Sequence, residues 1–338
     1  MKLNPKQRVL RRLNGEPVDK IPNLNIIMTF AARRMGVKYG DYVRDYKLLT
    51  DANIYCCETY GIDMVSAISD SMRETHDFGA SVIFPEDGVP YCKEYLIKDI
   101  KDISRLKPRD PGEGERMSDR VKAVERYKEK VGEEYPILGW VEGAFAEAAD
   151  LRGLNDLMMD MFDEPDAVKD LLEVCTQQAI LFAGEQIKAG ADFIGIGDAA
   201  ASLIGPVGYE EFALPYEKRI VDAVHKLGAK AKLHICGNIT SILDIISDSG
   251  ADMIDVDFMV DFAAANSAFA GRSACGNFSP VEVLLQGSPE TVKEAVKICV
   301  KQGNERTFIA AGCEVPILTP PENMSAVHEA LVELAQQQ

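Results

Sequence analysis

The sharpest chemistry in this chain lies in one short apolar run and one cysteine far downstream of it. The run is Leu233-His234-Ile235-Cys236-Gly237-Asn238, and the distant residue is Cys313 in Ala311-Gly312-Cys313-Glu314. Residues i and i+2 of a strand point to the same face, so His234 and Cys236 can grip one ion together. An imidazole and two thiolates form a zinc set whose fourth position is left to solvent, another side chain or substrate. Gly237 and Gly312 would let the backbone turn tightly beside these ligands. A lone His-x-Cys is more often a buried pair than a metal site, and it is Cys313, at a second strand end, that tips the balance. Cys275 in Ser273-Ala274-Cys275-Gly276-Asn277 also closes a strand and is a rival third ligand. Cys56, Cys57, Cys92, Cys175 and Cys299 sit in or beside periodic segments and read as small packing residues.

Two acids are catalytic candidates. Glu142 in Trp140-Val141-Glu142-Gly143 reads as a fourth zinc ligand or as a salt-bridging group at the same end. Asp198, after Gly195-Ile196-Gly197, reads as a proton acceptor or substrate-orienting group, or equally as an N-cap. No third glycine follows at Rossmann spacing, so a dinucleotide fingerprint is absent. His76, His225 and His328 read as structural or solvated. Tyr209, Phe212 and Phe258 are candidate walls of an apolar pocket, although aromatics at helical spacing are more often core.

The elements that must position these groups follow a simple alternation. Apolar, β-rich runs predict strands at Ile21–Met28, Asp63–Ser69, Pro136–Val141, Asp192–Gly197, Lys230–Ile235, Ala251–Val256, Gly271–Cys275 and Arg306–Ala311. Helix-period segments lie between them, at Asp41–Tyr60, Glu115–Val131, Glu164–Ala189, Tyr209–Leu227, Ile239–Ser249, Ser288–Gln302 and Pro321–Gln336. Ser288-Pro289 and Thr319-Pro320-Pro321 are N-terminal helix signals, and Gly190, Gly228, Gly250 and Gly303 fall at C′ positions. Eight strands in one alternating series predict a single (β/α)₈ TIM barrel over residues 1–338. Ala80–Lys98, split by Pro85-Glu86-Asp87-Gly88, predicts a small hairpin insertion, and the charged stretch Lys101–Gly114 a connector. The strand ends then carry Ser69-Asp70, Glu142, Asp198, His234, Cys236, Asp257, Asn277 and Cys313. In a barrel these ends share one mouth, where active sites are built.

Composition narrows the partners. The 338 residues hold 37 Lys and Arg against 54 Asp and Glu, a net charge of −17, and 46 % are hydrophobic. That is enough apolar matter for a large core, and an acidic surface disfavours nucleic acid and anionic membrane as partners. No run approaches the roughly 20 apolar residues of a membrane span. The basic start, Met1-Lys2-Leu3-Asn4-Pro5-Lys6-Gln7-Arg8, has no apolar stretch after it, so a signal peptide is not expected. Eight scattered cysteines read as reduced thiols, and a cytoplasmic location is expected.

The chain resembles the uroporphyrinogen decarboxylase superfamily along nearly its whole length. The motifs are Gln7-Arg8-Val9 with Leu13-Asn14-Gly15-Glu16-Pro17-Val18-Asp19-Lys20-Ile21-Pro22, and Gly205-Pro206-Val207-Gly208-Tyr209 with Phe212 and Pro215-Tyr216. Gly276-Asn277-Phe278-Ser279-Pro280, Leu285-Gln286-Gly287-Ser288-Pro289-Glu290 and Gly312-Cys313-Glu314-Val315-Pro316 with Thr319-Pro320-Pro321-Glu322-Asn323 complete the set. The resemblance implies a (β/α)₈ barrel and two competing chemistries. The decarboxylase branch carries Met-Arg-Gln-Ala-Gly-Arg after its first strand, to hold porphyrinogen carboxylates. Here the stretch reads Met28-Thr29-Phe30-Ala31-Ala32-Arg33-Arg34 and lacks the first arginine, while Ser69-Asp70 matches that branch's aspartate. The corrinoid methyltransferase branch carries His-x-Cys-Gly and a late cysteine as zinc ligands, matched by His234, Cys236, Gly237 and Cys313.

The expected function is therefore zinc-dependent methyl transfer between a small substrate and the cobalt of a corrinoid (cobalamin) held by a partner protein. The substrate would be a methylated or methoxylated compound, as in O-demethylation, or a thiol acceptor. Mouth aromatics tilt the expectation towards demethylation. The alternatives are uroporphyrinogen decarboxylation and a non-catalytic, ligand-binding barrel with a structural zinc.

Overall fold

The computed structural model describes residues 2–269 and 271–337. Its strands are β1 (Val65–Ser66), β2 (Val82–Ile83), β3 (Tyr91–Cys92), β4 (Ile137–Glu142), β5 (Phe193–Gly197), β6 (Lys230–His234), β7 (Met253–Asp255), β8 (Ser273–Phe278) and β9 (Phe308–Ala311). β1 and β4 to β9 make one parallel sheet in chain order, curled into a barrel with the helices outside it. β2 and β3 pair antiparallel as the expected hairpin insertion. The connector after it carries a 3₁₀ helix, Ile100–Arg105.

The predicted first strand, Ile21–Met28, is reduced to one bridge, Asn23 to Ile309, yet it closes the barrel. Ile309 N–H donates to Pro22 O at 3.1 Å on one side, and Asp63 N–H donates to Asn23 O at 2.8 Å on the other. Side chains take over bonds that a regular ladder would supply. Asn25 Oδ1 accepts from Ala311 N–H at 2.8 Å, and Asp63 Oδ2 accepts from Asn23 N–H at 2.9 Å. Buried backbone donors must be paired, and here asparagine and aspartate do it at the cost of strand regularity.

Strand alternation sorts the core into two shells. On β4, Leu138 and Trp140 join Phe193, Met253 and Phe308 inside the barrel, while Ile137 and Val141 pack outward under the helices. Each such buried side chain contributes roughly 1.5–3 kcal/mol of transfer free energy. The same alternation sets Glu142, Gly197 and His234 side by side on the inner face, since Glu142 registers with Gly197 and Gly197 with His234.

Helix boundaries mark where local chemistry overrode periodicity. The first long helix runs over Tyr46–Tyr60, not from Asp41, because Asp45 caps it by accepting from Lys47 N–H at 2.7 Å. The segment read as Tyr209–Leu227 is two helices, Gly205–Phe212 and Leu214–Lys226, broken ahead of Pro215, which has no N–H to continue the ladder. Ile239–Ser249 is a chain of short turns, Thr240–Ile242, Leu243–Ile246 and Ser247–Ser249. Ser288 caps Pro289–Gln302 as expected, whereas the last helix, Pro321–Gln336, starts from Pro320 without a side-chain cap. Gly303 is extended, with φ −87°, unlike the left-handed Gly190, Gly228 and Gly250. No helix of the described residues is long and apolar enough to cross a membrane.

Candidate metal centre

β6 brings two candidate ligands to the mouth. His234 ends the strand on its inner face and Cys236 follows two residues on, with Gly237 at φ +91° reversing the chain behind it. Cys313 comes from the end of β9 across the barrel. Gly312 lets that loop press against the β7 loop, because a Cβ there would sit 2.4 Å from Phe258 N. His234 Nε2 is 2.9 Å from Cys236 Sγ, which is 3.6 Å from Cys313 Sγ. All three donor atoms lie within 4.8 Å of one another, and among the described residues no other His, Cys, Asp or Glu group is so tight. A tetrahedral zinc with bonds of about 2.0–2.3 Å would space its donors roughly 3.5–3.8 Å apart. The cysteine pair already has that spacing, and the imidazole needs to back off from Cys236 by about 0.6 Å, so the three residues fit zinc.

The electrostatics around the triad favour a thiolate. Burial pushes His234 down, but its hydrogen bonds with Asp255 and Cys313 outweigh it and hold the imidazole up at about 9. The hydrogen bond from Cys236 draws Cys313 down to about 4, with His234 helping against burial. Cys236, donating in that pair and buried, is pushed up. Beneath them Asp255 Oδ2 lies 2.8 Å from His234 Nδ1 and also takes the ammonium of Lys232. Burial alone would raise Asp255, but Lys232 and His234 pull it down to about 2. Trp140 meets the His234 ring edge-on at 5.8 Å.

The other expected site residues scatter. Glu142 stands at the mouth with Oε1 2.5 Å from an Arg73 nitrogen, outside the tight ligand group. Asp198 is fully buried. Its Oδ1 accepts from Ala146 N–H at 2.7 Å, at the start of helix Ala144–Arg152, so it caps a neighbouring helix, not its own turn. Burial raises Asp198 to about 7, beside the buried Glu217. Cys275 is buried inside the barrel in register with Asp255 and is not part of the ligand group. Tyr209 and Phe212 are core, Tyr209 donating to Glu217 Oε2 at 2.6 Å, and of the three aromatics only Phe258 is exposed. Asp257 Oδ2 accepts from Gly237 N–H at 3.0 Å and Asn277 Nδ2 donates to Val260 O at 2.7 Å, so both hold loops in place. His76 pairs with Asp77 and His225 with Asp252, while His328 is half-buried against Gly61.

Sequence reasoning missed Asp255, Lys232 and Arg73. The signal for the first two was present as a period-two pattern: Lys232-x-His234 on one strand faces Asp255-x-Asp257 on the next. Arg73 gave none, since it reaches Glu142 from the helix Met72–Phe78 after β1.

Fold and site together define a parallel α/β barrel with a His/Cys/Cys cluster at its mouth that could hold a metal ion. The profile of the family described as uroporphyrinogen decarboxylase (URO-D) matches residues 4–334, and the chain belongs to that family. It is 31 % identical over 331 residues to the methylcobamide:CoM methyltransferase MtbA of Methanosarcina acetivorans, covering 96 % of each chain. A uroporphyrinogen decarboxylase of Prochlorococcus marinus stands at 27 % over 342 residues, covering 95 % of each. A solved methyltransferase from Methanosarcina mazei superposes with a TM-score of 0.91 at 24 % identity, covering 98 % of this chain and 99 % of that one, which establishes the shared fold.

Proposed function

We propose that this chain transfers a methyl group from a methylated corrinoid, carried by a separate protein, to a small thiol, at a zinc ion held by His234, Cys236 and Cys313. The observation that carries the reading is the convergence of those three donor atoms within 4.8 Å at the barrel mouth. A zinc ion bound there would supply Lewis acidity, lowering the pKa of a substrate thiol so that the thiolate is the nucleophile at neutral pH. The reaction is an in-line displacement: the S–C bond forms as the Co–C bond breaks, and the electron pair of that bond stays on cobalt.

The protein's own part is orientation and charge. Asp255 accepts the Nδ1 proton of His234 and so keeps Nε2 turned to the sulfurs, the usual role of a carboxylate behind a metal-bound imidazole. Glu142 faces the substrate side of the mouth. Asp198 has a positioning role, its N–H donating to His234 O at 2.9 Å while its carboxyl fixes the next helix. Exposed Met159, Phe162, Leu203, Val207, Phe258 and Leu318 lie in segments leaving the C-terminal ends of β4, β5, β7 and β9, the end that carries the triad. Apolar side chains so placed suit a docked corrinoid protein that excludes water from the transfer.

Two features weigh against decarboxylation. Asp70 is buried with Arg116 at 2.6 Å, Ser69 Oγ at 2.7 Å and Met72 N–H at 3.0 Å, which leaves it no room to serve a porphyrinogen. Arg34 lies against Cys56 and Tyr60, away from the mouth. Demethylation loses two of its three aromatic supports as well, since Tyr209 and Phe212 are buried core and only Phe258 is exposed. The test is to follow the absorbance of methylcobalamin with zinc-loaded protein and a thiol. Conversion to the cobalt(I) spectrum supports the reading. An unchanged spectrum together with carbon dioxide release from uroporphyrinogen overturns it.

A further inference from the structure

Beside the triad, on the β4 and β5 side of the mouth, lies a cavity of about 370 Å³ whose lining includes Ser71, Tyr95, Glu142, Asp150, Leu154 and Leu203 and contains no lysine or arginine. Its size suits a small molecule, and Ser71, Tyr95, Glu142 and Asp150 set a few polar groups among apolar walls. This polar set is short of positive charge. The carboxyls of Asp70, Glu74, Glu142, Glu147 and Asp150 face only the guanidiniums of Arg73 and Arg116, all in or behind this wall. Buried charges need partners, so the surplus carboxyls must either keep protons or meet a cation. Their behaviour fits that deficit: burial holds Asp150 up at about 7, and burial drives Glu142 up against the pull of Arg73.

Glu142, one of the lining residues, has an oxygen to spare. Glu142 is 7 % exposed, and its Oε1 is taken by Arg73. Its Oε2 leans over Gly197, 3.1 Å from where a Cβ would stand, and has no hydrogen-bond partner among the described residues. Behind the wall Glu147 Oε2 is buried and also unpartnered. These carboxylates do not converge as a metal site would, since the tight ligand group comprises His234, Cys236 and Cys313. An organic ammonium, with several donors and a radius larger than a metal ion, matches spread-out acceptors. Glu142 and His234 share the inner face two strands apart, and the residue between them is Gly197, which has no side chain to block the way from the cavity to the triad.

We propose that this cavity holds the ammonium group of a small aminothiol, placing its sulfur at the metal triad. The assignment rests on the methyl-transfer reading and names its acceptor by charge. A sulfonate or carboxylate at the same place would find no cationic partner in the lining and would repel Glu142 and Asp150 whenever they ionise.

Two thioethers of equal length and opposite charge test it: 2-(methylthio)ethylamine and 2-(methylthio)ethanesulfonate, titrated calorimetrically into zinc-loaded protein. Having no free thiol, they report on the tail alone. The ammonium compound should bind at least about tenfold tighter than the sulfonate, and Asp150→Asn or Glu142→Gln should weaken it by about three- to tenfold. Equal or tighter sulfonate binding, or no ammonium binding below about 10 mM, overturns the assignment even if the variants fail to fold. Methyl transfer from methylcobalamin to neutral 2-mercaptoethanol is measured alongside. Its absence would count against the methyl-transfer reading and leave the binding result to judge the cavity.

Discussion

Asp255 serves two inner-face side chains with one oxygen: Oδ2 is 2.8 Å from His234 Nδ1 and also holds the Lys232 ammonium. A carboxylate in that position fixes the ring, so His234 turns Nε2 towards Cys236 and Cys313, where a metal that displaced its proton would meet the lone pair. Because the imidazole is buried, it has no solvent to replace that bond.

Asp255→Asn should therefore weaken zinc binding by about 10- to 100-fold without removing a ligand. Competition against a chromophoric chelator measures it. Unchanged affinity would show that the imidazole is oriented by something else.

Replacing a ligand should separate chemistry from stability. His234→Ala and Cys313→Ala are expected to abolish methyl transfer while circular dichroism and thermal melts stay close to wild type, since the triad sits above the core and not within it. Cys275→Ser, by contrast, should leave one zinc per chain in elemental analysis, because Cys275 is outside the ligand group. Global unfolding of a ligand variant would point to a structural ion.

Asp150→Asn gives a pH signature with a definite sign. Burial raises the folded-state value of Asp150 from 3.8 to about 7, so folding favours its protonated form. The native carboxyl thus weakens the fold progressively as pH rises from the unfolded value towards about 7, and by a constant amount above that. The melting temperature of Asp150→Asn should exceed wild type most at pH 8 and converge with it near pH 4. A gain independent of pH would contradict the assigned burial.

Asp198 should behave as a helix-positioning group. Asp198→Ala removes the acceptor of Ala146 N–H and should cost about 1–2 kcal/mol in denaturant unfolding, whereas Asp198→Asn keeps an acceptor and should cost less. Equal effects on metal-dependent turnover from both, with no change in stability, would return Asp198 to direct catalysis.

What could be read from sequence depended on how local its cause was. β4, β5 and β9 were legible because both faces are buried and their runs are nearly all apolar. The closing strand was legible at Ile21–Met28, but its reduction to a single bridge was not, because Asn23, Asn25 and Asp63 replace ladder bonds through contacts distant in sequence. Pro215 announced its helix break and was overridden by a strong period. In the site, His234, Cys236 and Cys313 stood out by residue type and strand-end position. Asp255 needed cross-strand register to be seen, and the carboxyl-lined cavity needed the tertiary meeting of Ser71, Glu142 and Asp150.

The proposed zinc site is checked most directly by zinc-edge X-ray absorption on protein loaded with one equivalent of zinc. Two sulfur neighbours and one imidazole nitrogen are expected from Cys236, Cys313 and His234, with a single light-atom position left to solvent. Failure to retain zinc, or a closed shell of four protein ligands with no exchangeable position, would rule out a catalytic ion at this mouth.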